Sequence, residues 1–368
     1  MRILAVSPGA VYSTTDVYDG LVAGFTALGH EVCQFDSSRH IYVADQELRF
    51  WLRKAKDKVP PKRPRPGDGG LYAEFAEAVR FSAFAEVLVE ARRQAVDLVV
   101  IVSGYLISGE VLSMLSRRPD TPHKDGIAPT VMVFTESPYE EARQLRQAHL
   151  VDGVFVNDRK SVPLYAQATP YAWYLPMGYH PTRHLRLPGE PDYAHDVVFV
   201  GVGYRERIEM LEAIDWTGVN LGLYGDWRFV GKRSPLRRFV HQGIISNQQA
   251  TDLYRKSRVG INLHRSCVDY WGDGGGEVHG ESLNPRAYEL AACGVPQVTQ
   301  ARKEWYDVFG SCGINTAFVT AGEMERSVRE LLGSDDLRAR VADSQHRAVQ
   351  GHSYTDRAAR IVDCITGG

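Results

Sequence analysis

Short uninterrupted runs of Val, Ile and Leu recur along the chain, and each is followed by apolar residues at helical spacing. Helical patterns in the first half include Val17–Leu28 and Tyr72–Ala95. Apolar runs that do not alternate with polar residues are typical of strands buried on both faces, so they predict a parallel sheet covered by helices. The strands predicted in the first half are Arg2–Val6, Asp97–Val102, Thr130–Phe134, Gly153–Val156 and Ala172–Leu175.

The same alternation of predicted strands and helices begins again in the second half of the chain. Strands are predicted at Asp196–Val200, Val219–Tyr224, Val259–Leu263 and Val295–Thr299, and helices at Arg205–Ile214, Asn247–Lys256, Pro285–Cys293 and Glu323–Leu332. Between the halves, Pro176–His195 contains four prolines and two glycines, which interrupt any regular pattern. The sequence therefore predicts two doubly wound α/β domains at 1–178 and 193–350, joined by a hinge at 179–192.

The composition fits two ordinary globular domains. The chain has 368 residues, of which 44% are hydrophobic and 24% charged. Its net charge of -2 gives no global electrostatic argument for nucleic acid or an anionic membrane as a partner. The five cysteines are scattered without a C-x-x-C pair, which predicts a reducing cytoplasm, and no apolar run is long enough to predict a membrane span.

One basic, proline-rich segment, Arg53–Gly70, breaks the α/β rhythm. Such a composition is typical of a solvated loop. The alternative is a flap over the acceptor side that favours anionic acceptors, and residues 53–65 leave nucleic acid open as a partner.

The stretch Gly280–Thr299 carries the clearest chemical signal. Glu281 and Glu289 stand eight positions apart, and Pro285 and Arg286 lie between them. Pro285 fits the first turn of a helix, which places Glu289 just over one turn further in. A helix N-terminus favours anions and Arg286 adds a fork of donors, so we expect a diphosphate site there. The alternative is that Glu289 is a solvated helix residue and Arg286 a surface cation.

This stretch resembles the donor-site signature of GT-B glycosyltransferases, and more closely the CgeB-like group of bacteria and phages. The pattern N-x-R-x-(F/Y)-E-x-x-A-C-G is matched from Asn284 to Gly294. Further matches are FVGVGYRER at Phe199–Arg207, LGLYGDW at Leu221–Trp227 and LYRKSRVGINLHR at Leu253–Arg265. In the first half, FTESPYEEA from Phe134 and DGVFVNDR from Asp152 also fit. The resemblance implies two Rossmann-like domains facing across a cleft, with the last helix, within 352–368, packed back onto the first.

The resemblance also implies a role for individual residues. Glu289 would bind the ribose hydroxyls of a nucleotide sugar, and Glu281 would face the sugar or the reacting centre. Arg205 or Arg207 would meet the diphosphate together with Arg286. The remaining implied donor-site residues are Gly9, Tyr224, Gly225, Trp227 and Asn284, and a core position is the alternative for Trp227.

In the first domain, Glu136 follows a predicted strand directly, so it would lie at the carboxyl edge of the sheet. A carboxylate there could deprotonate an acceptor hydroxyl, and the alternative is a helix cap or hinge contact. Tyr12 and Tyr139 are further acceptor-side candidates. His180, like His184, lies in the hinge, where a structural role is the alternative.

No tightly bound cofactor and no metal are predicted, and a nucleotide-diphosphate sugar would be the co-substrate. Asp269 and Asp273 lie in the glycine-rich stretch YWGDGGGEVHGE and its approach, whose loop 272–280 we expect to close over the donor. The alternatives are that these carboxylates bind a cation or are solvated. The acceptor is expected to be a protein or a glycan.

Three rival functions remain open at this stage. The first is a nucleotide-sugar epimerase with the same fold, and the second is a non-catalytic nucleotide-sugar-binding or surface-assembly protein. The third is a dinucleotide oxidoreductase, which Glu206 disfavours because it replaces the third glycine of the fingerprint after Gly201 and Gly203.

Overall fold

A computed structural model describes residues 1–9, 12–63, 70–117, 128–189, 192–241, 243, 245–266 and 278–367. The chain divides into two compact units. The first comprises Met1–Tyr18, Phe25–Asn157 and Ser161–Tyr174, and the second comprises Asp19–Gly24, Asp158–Lys160 and Leu175–Gly368.

The first unit is built on a parallel sheet of six strands in the order β2-β1-β3-β4-β5-β6. Every residue of β3 and β4 is buried, as expected for apolar runs covered on both faces. The strands are β1 (Arg2–Val6), β2 (Glu31–Phe35), β3 (Leu98–Val102), β4 (Thr130–Phe134), β5 (Gly153–Val156) and β6 (Ala172–Tyr174).

Six α-helices of this part of the chain lie within the described residues. Among them, α2 begins after Asp36, whose carboxylate accepts hydrogen bonds from the N–H groups of Ser38 and Arg39. The helices are α1 (Tyr12–Ala27), α2 (Ser37–Lys54), α3 (Leu71–Arg93), α4 (Gly109–Leu115), α5 (Glu141–Ala148) and α6 (Val162–Tyr165). The middle of α1, Asp19–Gly24, belongs to the second unit.

The second unit has its own parallel six-stranded sheet, in the order β12-β11-β10-β7-β8-β9. Its central strands β7, β8 and β10 are again largely buried. The strands are β7 (His195–Val200), β8 (Leu221–Tyr224), β9 (Val240–His241), β10 (Ser257–Asn262), β11 (Gln297–Gln300) and β12 (Ala317–Phe318).

Seven helices of this unit lie within the described residues. Three of them begin with a capping box, at Ser246, Thr320 and Ser353. The helices are α7 (Arg205–Glu212), α8 (Asn247–Arg255), α9 (Pro285–Ala292), α10 (Lys303–Phe309), α11 (Ala321–Gly333), α12 (Asp335–Ala348) and α13 (Tyr354–Thr366).

The predicted fold class is confirmed, because both sheets are parallel and are accompanied by helices. All nine predicted strands are present within a few residues of their expected bounds. Three strands, β2, β9 and β12, were not predicted. The basic segment begins in the last turn of α2, and its residues 64–69 lie outside the described part of the chain. In the described part, no helix is long and apolar enough to cross a bilayer.

Candidate functional site

Helix α9 begins as the sequence predicts, with Pro285 in its first turn. Asn284 precedes it in an extended conformation, and its side chain does not cap the helix. Instead, Asn284 Nδ2 donates to the carbonyl oxygen of Leu263 at 3.4 Å, just beyond the end of β10. The N–H groups of the first turn thus have no side-chain cap, so this end of the helix can receive an anion.

Arg286 lies in the first turn of α9 and is held on two sides. Its Nη1 donates to Asn262 Oδ1 at 3.2 Å, and its guanidinium lies 4.7 Å from the centre of the Phe199 ring. A Cβ atom on Gly201 would stand 2.6 Å from Arg286 Nη2, so the chain after β7 passes close beside the guanidinium. This places Arg286 at the carboxyl ends of β7 and β10, where open α/β sheets bind ligands.

Buried polar atoms without a hydrogen-bond partner cluster around Arg286. Such atoms are uncommon, because each costs about 1–3 kcal/mol when it is left unpaired. Within the part of the chain that the structure describes, those of this region are Arg286 Nε, Asn262 Nδ2, Trp227 Nε1, His264 Nε2 and Asn284 Oδ1. Three of these five atoms, on Arg286, Asn262 and Trp227, always carry a hydrogen and are donors. His264 Nε2 is a donor in only one tautomer of the ring, and Asn284 Oδ1 is an acceptor. The region is therefore suited to a polar ligand rich in acceptor oxygens.

His264 remains neutral in this setting. Burial lowers its pKa well below the ordinary value, and the charges of Arg302, Arg207 and Arg286 lower it further. Its backbone N–H donates to Gln300 Oε1 at 3.0 Å, which ties the end of β10 to the end of β11. A neutral imidazole leaves the positive charge of the region to the arginines.

Arg207 is buried and bound to the backbone of two loops. Its Nη1 donates to the carbonyl of Val202 at 2.9 Å, and its Nε to the carbonyl of His264 at 3.4 Å. Its guanidinium also lies 4.8 Å from the centre of the Tyr204 ring. Arg207 thus joins the loops after β7 and β10, whereas Arg205 is exposed on the first turn of α7.

Glu289 lies three residues after Arg286 on α9 and is half-buried. It accepts a hydrogen bond from the buried Tyr254 hydroxyl, whose oxygen lies 3.2 Å from Glu289 Oε2. Burial raises the pKa of Glu289, and the charge of Arg286 opposes that rise. The Glu289 carboxyl thus accepts from Tyr254 and is close enough to Arg286 for the guanidinium charge to favour its ionised form.

The loops after β7 and β8 approach each other closely. Gly225 has φ +110°, and a Cβ atom there would lie 2.4 Å from the carbonyl oxygen of Gly201. Trp227 is only 4% exposed and packs edge-to-face on Phe199, with ring centres 5.6 Å apart. The indole of Trp227 therefore packs in the core, as the alternative interpretation of the sequence expects, while its Nε1 remains one of the unpartnered donors named above. Tyr224 stacks on His241, with ring centres 4.3 Å apart.

Two buried carboxylates fix the loop that carries Glu281. Asp158 Oδ2 accepts from the N–H groups of Glu281 at 2.8 Å and Ser282 at 3.0 Å, and Glu304 Oε2 accepts from the N–H of Leu283. The Glu281 side chain itself is 36% exposed, and its Oε2 lies 3.4 Å from Lys303 Nζ.

The other sequence-derived candidates are in structured positions. In the first unit, Gly9 has φ +87° before α1, and Glu136 follows β4, where its carbonyl accepts from the N–H of Tyr139 at 2.8 Å. In the second unit, the N–H of the buried His180 donates to His184 Nδ1 at 3.0 Å, and burial lowers the pKa of His180. Tyr12 begins α1, but its side chain lies outside the described part, as do Asp269, Asp273 and most of loop 272–280.

The structure thus brings Asn284, Arg286 and Glu289 together at the edge of the second sheet. Sequence reasoning missed their neighbours Asn262, His264 and Tyr254. These residues stand inside a motif quoted above, Leu253–Arg265, but its resemblance gave no reason to single them out.

A model of a known protein family matches most of the second unit. Residues 205–363 match the family model described as glycosyl transferase-like. The matched segment runs from α7 into α13 and includes Arg286 and Glu289, whereas Glu136 lies outside it. A comparison with curated proteins found no match.

Solved structures resemble the whole chain. An α-glucosyltransferase solved with UDP and a 13-mer DNA containing an A:G mismatch is 15% identical, with a TM-score of 0.61 over 100% of both chains. T4 phage BGT, solved with UDP-glucose, is 14% identical, with a TM-score of 0.56 over 100% of this chain and 98% of its own. AviGT4, a glycosyltransferase of avilamycin A biosynthesis, is 15% identical, with a TM-score of 0.58 over 100% and 99%.

The chain has the GT-B glycosyltransferase fold. At these identities the similarity establishes the fold alone. In this GT-B chain the cluster around Arg286 belongs to the second unit, in the segment that the glycosyl transferase-like model matches.

Proposed function

We propose that the chain is a CgeB-like glycosyltransferase that moves a sugar from a nucleotide diphosphate to a hydroxyl acceptor. The observation that carries this proposal is the set of buried, unpartnered donors around Arg286, at the start of α9. A diphosphate offers the acceptor oxygens that this set lacks. The family match of residues 205–363 supports the same chemistry.

In this proposal the second unit holds the donor. Arg286, Asn262 Nδ2 and the uncapped N–H groups of α9 bind the diphosphate. Glu289, held by Tyr254, accepts hydrogen bonds from the ribose hydroxyls. Arg207 does not bind phosphate with its Nε and Nη1, because both are engaged by backbone carbonyls.

The reaction needs charge stabilisation on the leaving group and a base for the acceptor. The acceptor oxygen bonds to the anomeric carbon, the bond from that carbon to the phosphate oxygen breaks, and the nucleotide diphosphate departs. Arg286 stabilises the charge that grows on the departing diphosphate, so we propose that the reaction proceeds without a metal ion. The acceptor hydroxyl loses its proton, and Glu136 is the proposed base.

The acceptor is proposed to be a protein or a glycan. One structurally similar enzyme was solved with DNA and another with UDP-glucose. A short DNA duplex is therefore a necessary arm of any acceptor screen.

The test is thermal stabilisation by UDP-, GDP-, TDP- and ADP-sugars, with and without EDTA. A ligand that binds only the folded state raises the free energy of unfolding, by about 2.7 kcal/mol at a hundred times Kd. We expect one nucleotide family to stabilise the chain equally with and without EDTA. Stabilisation by none of them would refute the donor site, and stabilisation that EDTA abolishes would refute metal independence.

A variant pair makes this test specific to the cluster. Glu289→Ala removes the carboxylate proposed to bind the ribose and should weaken donor binding by roughly 1–3 kcal/mol. Glu330→Ala, on the exposed face of α11, is the matched control and should change nothing. Incubation with the donor alone separates transfer from epimerisation, because only an epimerase would convert the sugar without an acceptor.

A further inference from the structure

Helix α2 of the first unit has apolar residues on both of its faces. One face packs into the core through Ile41, Ala44, Leu48 and Leu52. The rest of the helix surface exposes Tyr42 (66%), Val43 (44%), Phe50 (55%) and Trp51 (58%), and the exposed anion Glu47 lies between Val43 and Trp51. Val43 and Phe50 are seven positions apart and fall on one line of the helix, with Tyr42 and Trp51 on either side.

A strongly basic segment continues from this face. Residues 53–63 contain six cations, Arg53, Lys54, Lys56, Lys58, Lys62 and Arg63, and one anion, Asp57, and all six cations are exposed. Lys54 Nζ lies 4.9 Å from the centre of the Trp51 ring. Positive charge thus lies beside at least one of the exposed aromatic rings, that of Trp51.

The basic segment is fastened to α2. The guanidinium of Arg49, which is 5% exposed, donates to the carbonyls of Pro60 at 2.6 Å and Pro61 at 3.4 Å. The same side chain pairs with Asp45 and lies 4.7 Å from the centre of the Phe75 ring. The cations up to residue 63 are therefore held beside the helix.

We infer that this aromatic–basic face, comprising Tyr42, Val43, Phe50, Trp51 and the six cations of residues 53–63, docks on an anionic phospholipid bilayer. Amphipathic helices with Trp and Phe on the apolar side and Lys or Arg around them lie in the interface of anionic membranes. Charge complementarity selects this occupant. A net charge of -2 for the whole chain attracts no anion by itself, whereas residues 53–63 carry a local excess of five positive charges, which outweighs the exposed anion Glu47 on α2.

A nucleic acid is the competing polyanion, and the shape of the face argues against it. Single-stranded nucleic acids bind in grooves where bases stack on recessed aromatic rings. Here the rings project from the convex side of a helix together with aliphatic Val43. Four of the six cations are lysines, which act as point charges and lack the bidentate geometry of arginine for single phosphates.

The experiment is co-sedimentation of the full chain with vesicles of phosphatidylcholine alone or mixed with phosphatidylglycerol. We expect binding only to the mixed vesicles, and release by high salt. Replacing Lys54, Lys56, Lys58 and Lys62 by Gln should lower the partition coefficient by about fivefold for each lysine. The matched control replaces Lys232, Arg233, Arg237 and Arg238 by Gln, four exposed cations of the second unit, and should retain binding.

A second pair of variants tests the apolar part of the face. Phe50→Ser with Trp51→Ser should lower vesicle binding at least ~10-fold, because both rings would enter the interface. Tyr171→Ser with Phe229→Ser removes two aromatic residues of similar exposure (58% and 53%) and should have no effect. Thermal unfolding should be unchanged in all variants, because every replaced side chain is exposed.

Three outcomes would overturn the inference. The first is no binding to the mixed vesicles, and the second is equal loss in the face variants and their matched controls. The third is displacement of the chain from vesicles by a single-stranded DNA oligonucleotide whose own binding is lost in the same face variants. That result would make the face a nucleic-acid site. The inference does not depend on the proposed function, since vesicle binding is measured without a nucleotide sugar.

Discussion

Replacing Arg286 by lysine should weaken the binding of nucleotide diphosphates much more than the binding of nucleosides. The guanidinium is fixed by Asn262 at 3.2 Å and by the Phe199 ring at 4.7 Å, and its buried Nε has no partner among the described residues. A lysine keeps the charge but loses the planar fork and the stacking. The Arg286→Lys change therefore measures the contribution of the directed hydrogen bonds to diphosphate binding, because the positive charge is kept.

The magnitude follows from the number of hydrogen bonds at stake. A hydrogen bond to a charged group contributes about 1.5–3 kcal/mol. The loss of one such bond corresponds to a roughly 10- to 100-fold increase in Kd. A nucleoside has no phosphate to offer to Arg286, so its affinity should stay within about twofold.

Calorimetric titration measures this difference with the nucleotide family that stabilises the wild-type chain. Arg326→Lys is the matched control, because Arg326 is exposed on α11 and is not among the candidate donor-site residues. Equal weakening of nucleoside and diphosphate would refute the reasoning, since it would mean that Arg286 supports the pocket without meeting phosphate. Unchanged diphosphate binding would remove Arg286 from the site.

Three further predictions concern single positions. Glu289→Gln should become more stable relative to wild type as the pH rises above the unfolded-state pKa of 4.5, because the pKa of Glu289 is raised in the folded state and its ionisation therefore destabilises the fold. Parallel curves of unfolding free energy against pH would contradict this. Gly225→Ala should lower the free energy of unfolding by about 1–3 kcal/mol in denaturant titrations, because Gly225 has φ +110° and a Cβ there would meet the backbone of Gly201. The control is Gly231→Ala, which should lower it by under ~1 kcal/mol because a Cβ at Gly231 meets nothing within 4 Å. Glu136→Gln should lower kcat in a transfer assay and leave the donor Kd unchanged; full turnover would return Glu136 to a structural role.

The fold was predictable wherever burial left a mark on the local sequence. Strands β3 and β4 are apolar at nearly every position because both of their faces are covered. Strand β2 lies at an edge of its sheet and is mostly half-exposed or exposed, so its mixed sequence EVCQF gave no such signal. Helix α2 was not predicted, although Ile41, Ala44, Leu48 and Leu52 follow the spacing of one helix face and pack into the core.

The site was predictable only where its residues are close in sequence. Asn284, Arg286 and Glu289 belong to one helix and its preceding residue, and helix geometry alone brings them together. Asn262 is the last residue of β10, and His264 follows it closely. These two residues lie beside Arg286 only because β10 pairs with β7 and β11 in the folded sheet. Which buried donor lacks a partner depends on the whole fold, so no local pattern could reveal it.

The loop before α9 is ordered by the protein itself. Three consecutive backbone N–H groups, from Glu281 to Leu283, donate to the carboxylates of Asp158 and Glu304, and Arg302 Nη1 donates to the carbonyl of Ser282 at 3.2 Å. A ligand arriving at α9 therefore finds this loop already in place, and little of its binding enthalpy is offset by loss of chain entropy there. In hydrogen-exchange terms, these three amides should be protected before any nucleotide is added, and protection gained on binding should arise elsewhere.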